Sequence, residues 1–134
     1  MELDMYAEGL LQSYEHPLNK GRIEKPQIEK HEENISCGDK ITVYLKVENN
    51  IIKDIKFDGT GCVISMGSAE ILLNELKGKN IEELENFKKE DLLETIGIDP
   101  GPVRMHCATL SLRAVKKGIF EYLKKEPDQS TKEL

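Results

Sequence analysis

The hydrophobic period of the chain changes near residue 60, and this change restricts the fold more than any other feature. Residues 41–47 alternate apolar and polar side chains, which is typical of a strand with one buried face. After a turn at Glu48-Asn49-Asn50, residues 51–57 return as the second strand of a hairpin. Beyond Gly61 the apolar residues recur at helical spacing, at Val63, Met66, Ala69, Leu72, Leu73 and Leu76. Strands followed by helices predict an α+β fold.

Local start and stop signals extend this prediction over the remaining chain. We expect a helix over residues 4–15 and an edge strand over Gln27 to Glu32 before the hairpin. After the helix that follows Gly61, we expect two short helices, from Asn80 to Phe87 and from Asp91 to Ile96. A rigid loop over Gly97 to Pro102 then leads to a last helix from about Arg104. Neither a repeat nor a linker divides the sequence. The prediction is one domain over residues 1–126, a small antiparallel sheet of about three strands covered by helices, with residues 127–134 as a flexible tail.

Charge and hydropathy exclude several classes of partner. The 134 residues include 25 acidic and 19 basic side chains, a net charge of −6, whereas nucleic-acid binding requires a concentrated basic face. No apolar run approaches the ~20 residues of a membrane span. The first residues lack the basic start and apolar stretch of a secretory signal. We therefore expect a cytoplasmic protein with no nucleic-acid or membrane partner.

The three cysteines are the main candidates for chemistry. In a reducing compartment, cysteines more often bind metal or take part in catalysis than form disulfides. The roles of these three cysteines therefore determine which function the sequence predicts. Cys37 precedes the first hairpin strand, Cys62 lies between the hairpin and the next helix, and Cys107 is predicted in the first turn of the last helix. Junctions at one end of a layered fold can converge in space. The alternative is three small buried hydrophobic residues, but the Gly- and Pro-rich flanks argue against it.

Neighbouring residues complete a possible ligand set. Helix starts lower the pKa of a thiol, and this is expected for Cys62 and Cys107. Asp39 follows Cys37 by two positions, so in extended chain both face the same space, although Asp39 could also be a turn residue or a strand-end cap. His106 is either a fourth ligand that exchanges with Asp39, a nearby base, or a partly exposed histidine.

Three thiolates with one harder ligand suit tetrahedral zinc or the outer ligands of a 2Fe–2S cluster. Because a carboxylate is a poorer partner for iron–sulfur centres than a thiolate, Asp39 would make a cluster easier to release. This property suits a cluster donor better than a permanent electron carrier.

Four segments in a fixed order carry a family resemblance that covers roughly Tyr6 to Tyr122. They are Tyr14 to Gly21 (YEHPLNKG), Ser36 to Asp39 (SCGD), Thr60 to Ser68 (TGCVISMGS) and Pro102 to Cys107 (PVRMHC). Together they resemble the IscU/SufU/NifU N-terminal family of iron–sulfur scaffold proteins. The resemblance implies an α+β scaffold that receives sulfur from a cysteine desulfurase and passes clusters to apo-proteins.

The resemblance also implies residue roles. Cys37, Asp39, Cys62 and Cys107 match the family's ligand positions, His106 matches the histidine of the Isc-type branch, and Cys107 corresponds to that branch's sulfur acceptor. The insertion usual in the SufU branch is missing. Residues 99–104 (DPGPVR) replace the Leu-Pro-Pro-Val-Lys chaperone motif of the Isc branch, which argues against recognition by an Hsp70-type chaperone.

Three functions follow from these observations. The leading hypothesis is a scaffold for a transient 2Fe–2S cluster. The second is a zinc-dependent sulfurtransferase of the SufU type, in which Cys62 or Cys107 leaves the metal to accept sulfur from a cysteine desulfurase. The third is a structural zinc module, which the absence of short-spaced CxxC pairs makes the weakest.

Overall fold

An antiparallel sheet of three strands in the order β1-β2-β3 forms one layer of the structure. The computed structural model describes the backbone of residues 2–134 and the side chains from residue 8 onward, so residue 1 of the predicted domain lies outside it. The elements in chain order are α1 (Glu2–Glu15), β1 (Ile28–Asn34), β2 (Asp39–Glu48), β3 (Ile51–Thr60), α2 (Val63–Leu76), a 3-10 helix (Glu83–Asn86), α3 (Lys89–Ile96), α4 (Gly101–Leu123) and α5 (Gln129–Lys132). The predicted α+β fold with a three-stranded sheet is confirmed.

The β2–β3 hairpin places alternate residues in the core. Asn49 and Asn50 both have positive φ, as the two central residues of a type I′ hairpin turn require. The register pairs Val43 with Phe57 and Leu45 with Ile55. The apolar face packs against α2 and α4, and its fully or nearly fully buried side chains are Ile41, Val43, Leu45, Val47, Ile52, Ile55 and Phe57. The predicted alternation of residues 41–47 is confirmed on this face, and Tyr44 on the opposite face is also buried.

The segment between α1 and β1 is anchored to both β3 and α2. Asn19 O accepts a hydrogen bond from Phe57 N (2.9 Å), and Gly21 N donates to Phe57 O (2.7 Å). The buried Glu70 carboxylate accepts from Asn19 N (2.8 Å) and from Asn19 Nδ2 (3.0 Å). The two hydrogen bonds to a charged group fix the path of the chain from α1 to the sheet.

A buried lysine connects the long helix α4 to the 3-10 helix. Lys116 Nζ donates to Glu85 O (3.1 Å) and Phe87 O (2.6 Å), and the side chain is almost fully buried. Burial lowers the pKa of Lys116 from its ordinary value. The amine therefore satisfies two carbonyls that the end of a short helix leaves free.

The structure differs from the prediction at several element boundaries. α4 begins at Gly101 and not near Arg104, because Pro102 lies in its first turn, where a missing N–H costs no hydrogen bond. The predicted rigid loop over residues 97–102 is accordingly partly helical. The short helix predicted from Asn80 is a 3-10 helix that begins at Glu83.

The C-terminal segment also differs from the predicted flexible tail. Residues 129–132 form α5, capped by the Asp128 carboxylate, which accepts from Thr131 N (2.9 Å). Thr131 is fully buried, and Leu134 packs against the core. None of the helices within residues 2–134 combines the length and apolar character that crossing a bilayer requires.

Candidate metal centre

One end of the sheet brings two thiols and a carboxylate together. Cys37 lies in the turn between β1 and β2, Asp39 begins β2, and Cys107 lies in the second turn of α4. One ligand atom from each of the three residues lies within 4.8 Å of the other two. The sulfurs of Cys107 and Cys37 are 3.4 Å apart.

The β1–β2 turn determines how Cys37 and Asp39 are presented. Asn34 O accepts hydrogen bonds from Cys37 N (3.2 Å) and Gly38 N (2.8 Å). Gly38 has a φ of +75°, which glycine adopts without the steric cost of a side chain. Cys37 is consequently exposed at the turn, whereas Asp39 turns inward. The predicted convergence of these two side chains is therefore produced by a tight turn and not by extended chain.

Asp39 has a buried carboxylate, and only one of its two oxygens accepts a hydrogen bond from a described residue. Its exposed fraction is 2%, and Oδ1 accepts a hydrogen bond from Cys62 N (3.2 Å). Within the described residues, the buried Oδ2 has no hydrogen-bond partner. Leaving a buried polar atom unsatisfied is costly, and a cation at this position would remove the cost. The donor set therefore fits a metal ion that accepts thiolate and carboxylate ligands.

Cys62 is the N-cap of α2, as the sequence predicts. Its sulfur accepts from Ser65 N (3.4 Å) and lies 3.5 Å from Ser65 Oγ. Burial raises the pKa of the Cys62 thiol, but the hydrogen bonds from the Ser65 side chain and backbone outweigh it, and the resulting pKa lies below the ordinary value. The sulfur is turned toward Ser65 and lies outside the group formed by Cys37, Asp39 and Cys107. Its backbone N–H connects it to that group through Asp39.

Gly61 provides space between Asp39 and the start of α2. A Cβ atom at this position would lie 2.4 Å from Ser65 Oγ, 2.8 Å from Asp39 Oδ1 and 3.2 Å from Met66 Cε. Carbon atoms do not approach other heavy atoms so closely without displacement. The site consequently requires glycine here for steric reasons, because the backbone φ is not in the left-handed region.

Cys107 differs from the prediction. Its side chain is 0% exposed, and burial, together with the hydrogen bond to Cys37 and the nearby Asp39, raises its pKa to about 12. The predicted lowering by the helix start is wrong, because α4 begins six residues earlier, at Gly101, and the free N–H groups of the first turn are not near Cys107. The sulfur also accepts a hydrogen bond from Asn34 Nδ2 (3.6 Å).

Two residues of α4 next to Cys107 are exposed. Interaction with the Cys107 side chain and with the nearby sulfurs of Cys62 and Cys37 raises the pKa of the exposed Arg104, so a cation stands at the rim of the site. His106 is exposed and is not part of the group that the described residues form around Cys107. Because consecutive helical residues diverge by about 100°, the side chains of His106 and Cys107 leave α4 in different directions.

The family model for the NifU-like N-terminal domain matches residues 5–129. The chain belongs to this family. The resemblance predicted from the sequence motifs is therefore confirmed.

Characterised relatives of this NifU-like chain include both branches considered above. It is 34% identical over 131 residues to the iron–sulfur cluster assembly scaffold protein IscU of Thermotoga maritima, covering 86% of this chain and 92% of that protein. It is 33% identical over 132 residues to the zinc-dependent sulfurtransferase SufU of Bacillus subtilis, covering 86% of this chain and 89% of that protein.

A solved structure agrees with the fold of this NifU-like chain. The N-terminal part of a nitrogen-fixing NifU-like protein from Brucella abortus superposes with a TM-score of 0.78 at 16% identity, covering 94% of this chain and all of that one. At this identity the likeness shows the fold alone.

Sequence reasoning on this NifU-like domain missed three residues of the site. They are Asn34, Gly61 and Ser65, which contact the thiols or the carboxylate. Gly61 carried a weak signal, since it directly precedes the N-cap of a helix. Asn34 carried none, because its place beside Cys107 depends on the register that pairs it with Asp39.

Proposed function

We propose that this chain is a scaffold on which a 2Fe–2S cluster is assembled, with sulfur supplied by a cysteine desulfurase, and from which the cluster passes to apo-proteins. The observation that supports this most is the group formed by Cys37, Asp39 and Cys107, in which the buried Asp39 Oδ2 has no hydrogen-bond partner among the described residues. The similarity to the IscU scaffold protein of Thermotoga maritima supports the same function. The cytoplasmic location stays a prediction, and an Hsp70-type chaperone is not part of the proposal.

Each residue of the site has a distinct role in this proposal. Cys37, Cys62 and Cys107 are the thiolate ligands of the cluster, which is the cargo of the protein. Asp39 is the harder ligand that makes the cluster easier to release. Because Cys37 is exposed and Cys107 is fully buried, cargo enters and leaves on the Cys37 side. Sulfur transfer to Cys107, the acceptor implied by the resemblance, requires the Cys107 thiol first to become accessible.

The second candidate is a zinc-dependent sulfurtransferase. Its support is the similarity to SufU of Bacillus subtilis, together with a group of ligand atoms within 4.8 Å that suits a single ion. Zinc would take the same four residues, Cys37, Asp39, Cys62 and Cys107. The two candidates differ in the cargo, which is a cluster in one case and a persulfide sulfur atom in the other.

Anaerobic reconstitution distinguishes these candidates. Chelator-stripped protein receives ferrous iron, cysteine and a cysteine desulfurase, and visible absorption is followed before and after an apo-ferredoxin is added. We expect a cluster spectrum that is lost in Cys37→Ser, Cys62→Ser and Cys107→Ser and retained in Ser36→Ala, the exposed neighbour of Cys37. If no chromophore forms and the zinc-loaded chain instead accepts persulfide and accelerates the desulfurase, the sulfurtransferase function is correct.

The role of Asp39 is tested by Asp39→Ala. Because alanine removes the harder ligand, we expect the variant to keep the cluster at least as tightly and to transfer it more slowly. The control is Asp58→Ala, which removes a carboxylate that pairs with Arg22 on the surface. Faster transfer from Asp39→Ala than from the control would contradict the proposed role.

A further inference from the structure

The side chain of Asn34 is a buried amide that contacts the candidate centre. Asn34 is the last residue of β1, and its exposed fraction is 7%. Its Nδ2 donates a hydrogen bond to the Cys107 sulfur (3.6 Å). Its backbone oxygen accepts the two hydrogen bonds that hold the turn with Cys37 and Gly38. One residue thus contacts a sulfur of α4 and supports the turn that presents another.

The position of Asn34 relative to Cys107 is fixed by contacts between β1 and α4. Arg113 Nε forms an ion pair with Glu32 (2.8 Å), and Arg113 Nη2 donates to Glu33 O (2.6 Å). Lys30, which lies nearer the start of β1, pairs with Glu121 of α4. The register also sets Asn34 opposite Asp39. The amide therefore reaches the sulfur from a strand that is paired with β2 and held to α4 by these contacts.

The backbone of Asn34 stabilises the turn, and its side chain contacts the Cys107 sulfur. Any residue at this position could accept the hydrogen bonds of the turn through its backbone oxygen. The side chain, in contrast, supplies the N–H donor that reaches the Cys107 sulfur from the end of β1. The hydrogen bond to sulfur is thus a property of asparagine itself, and substitutions that keep the backbone remove it alone.

We propose that Asn34 is a positioning residue that orients the Cys107 sulfur and reduces its electron density through the N–H···S hydrogen bond. Partners in contact with ligating side chains orient them and affect metal affinity, and hydrogen bonds to sulfur help set the reduction potential of an iron–sulfur centre. This inference rests on the proposed role of Cys107 as a ligand. It adds a residue whose effect is electronic as well as steric.

Cobalt(II) is a direct probe of this hydrogen bond, because the thiolate-to-cobalt charge-transfer band reports the energy of the sulfur electrons. The variants are Asn34→Ala, which removes the donor, and Asn34→Asp, which keeps the volume and replaces the donor by a carboxylate oxygen. The matched control is Asn19→Ala, because Asn19 is another buried asparagine whose Nδ2 donates to Glu70, in a contact with no thiol. Circular dichroism and urea unfolding compare the folded state of all three variants.

We expect the charge-transfer band to move to longer wavelength in both Asn34 variants and to stay at the wild-type position in Asn19→Ala. The affinity for Co²⁺ should fall by about 10-fold or more in Asn34→Ala. The midpoint potential of the reconstituted cluster should fall in the order wild type, N34A, N34D, since the last also adds negative charge.

The inference would be overturned if N34A and N34D had the same cobalt charge-transfer band and the same cluster midpoint potential as the wild type. This holds whatever the stability of the two variants. A shift of equal size in N19A would also overturn it, because a general loss of packing would then explain the result. If the wild type binds no Co²⁺ and forms no cluster, the proposed function fails, and this outcome is read from the wild type alone.

Discussion

The substitution Gly61→Ala tests how tightly the carboxylate and the start of α2 are packed. The added methyl group would lie 2.4 Å from Ser65 Oγ and 2.8 Å from Asp39 Oδ1. Ser65 is almost fully buried, and its hydroxyl donates to Cys62 O (3.1 Å). Because both neighbours are held by hydrogen bonds, neither can move away without loss of a contact.

The size of the effect follows from these distances. Overpacking of a filled interior costs about 1–3 kcal/mol. If the Asp39 carboxylate is the group that moves, the hydrogen bond from Cys62 N is weakened, which costs a further amount on the order of 1 kcal/mol. Overpacking alone, at about 2 kcal/mol and a slope of about 2 kcal/mol per molar urea, should lower the unfolding midpoint by about 1 M, and the weakened hydrogen bond should add about 0.5 M.

Urea unfolding of the metal-free chain measures this loss, and Co²⁺ titration measures its consequence at the site. We expect Gly61→Ala to lower both the midpoint and the Co²⁺ affinity. The control is Gly9→Ala in α1, where the part of the chain that the structure describes places no side chain within 4 Å of the added Cβ. That substitution should stabilise the helix by about 0.5–1 kcal/mol. A Gly61→Ala chain with wild-type stability and wild-type Co²⁺ affinity would refute the steric reasoning.

Three other substitutions test separate parts of the structure. Lys116→Met removes two buried N–H donors and should lower the free energy of unfolding by about 1–3 kcal/mol in urea titrations, with Co²⁺ binding unchanged. Asp128→Ala removes the cap of α5 and should cost about 0.5–2 kcal/mol, measured by amide exchange at α5. Because hydrogen bonding by Thr131 lowers the pKa of Asp128 below its ordinary 3.8, the cap contributes fully above pH 3.8, and its contribution should be lost as the pH falls through the folded-state pKa. His106→Ala should leave Co²⁺ affinity within about twofold, and a larger loss would make the exposed His106 a ligand.

Alternation and helical spacing predicted most of the fold because each depends on neighbours in sequence. The strands around Val43 and Phe57 and the helix that follows Cys62 are cases of this kind. The start of α4 differs from the prediction because proline is typical of loops and equally suits the first turn of a helix, where Pro102 lies. Because α4 begins at Gly101 and not near Arg104, Cys107 lies inside the helix and not at its start.

The candidate site was predictable in residue type but not in geometry. The thiols and Asp39 were selected by their chemistry and by their places at junctions, and the structure brings Cys37, Asp39 and Cys107 together. The rotation of the Cys62 sulfur toward Ser65 depends on local hydrogen bonds that no spacing rule describes. The pKa of Cys107 is raised and not lowered because the thiol is buried, and burial is a property of the packed chain.

The candidate ligands come from separate elements, and this arrangement couples metal loading to folding of the whole chain. Cys37 and Cys107 are 70 residues apart, on a turn of the sheet and on α4, and only the packed sheet and helix place their sulfurs 3.4 Å apart. An unfolded chain offers no such group, so a ligand that binds the folded state at 100 times its Kd adds about 2.7 kcal/mol to stability. Loaded and empty chains should therefore differ in resistance to proteolysis along their entire length, and release of the cargo would leave the protein less stable than it was before.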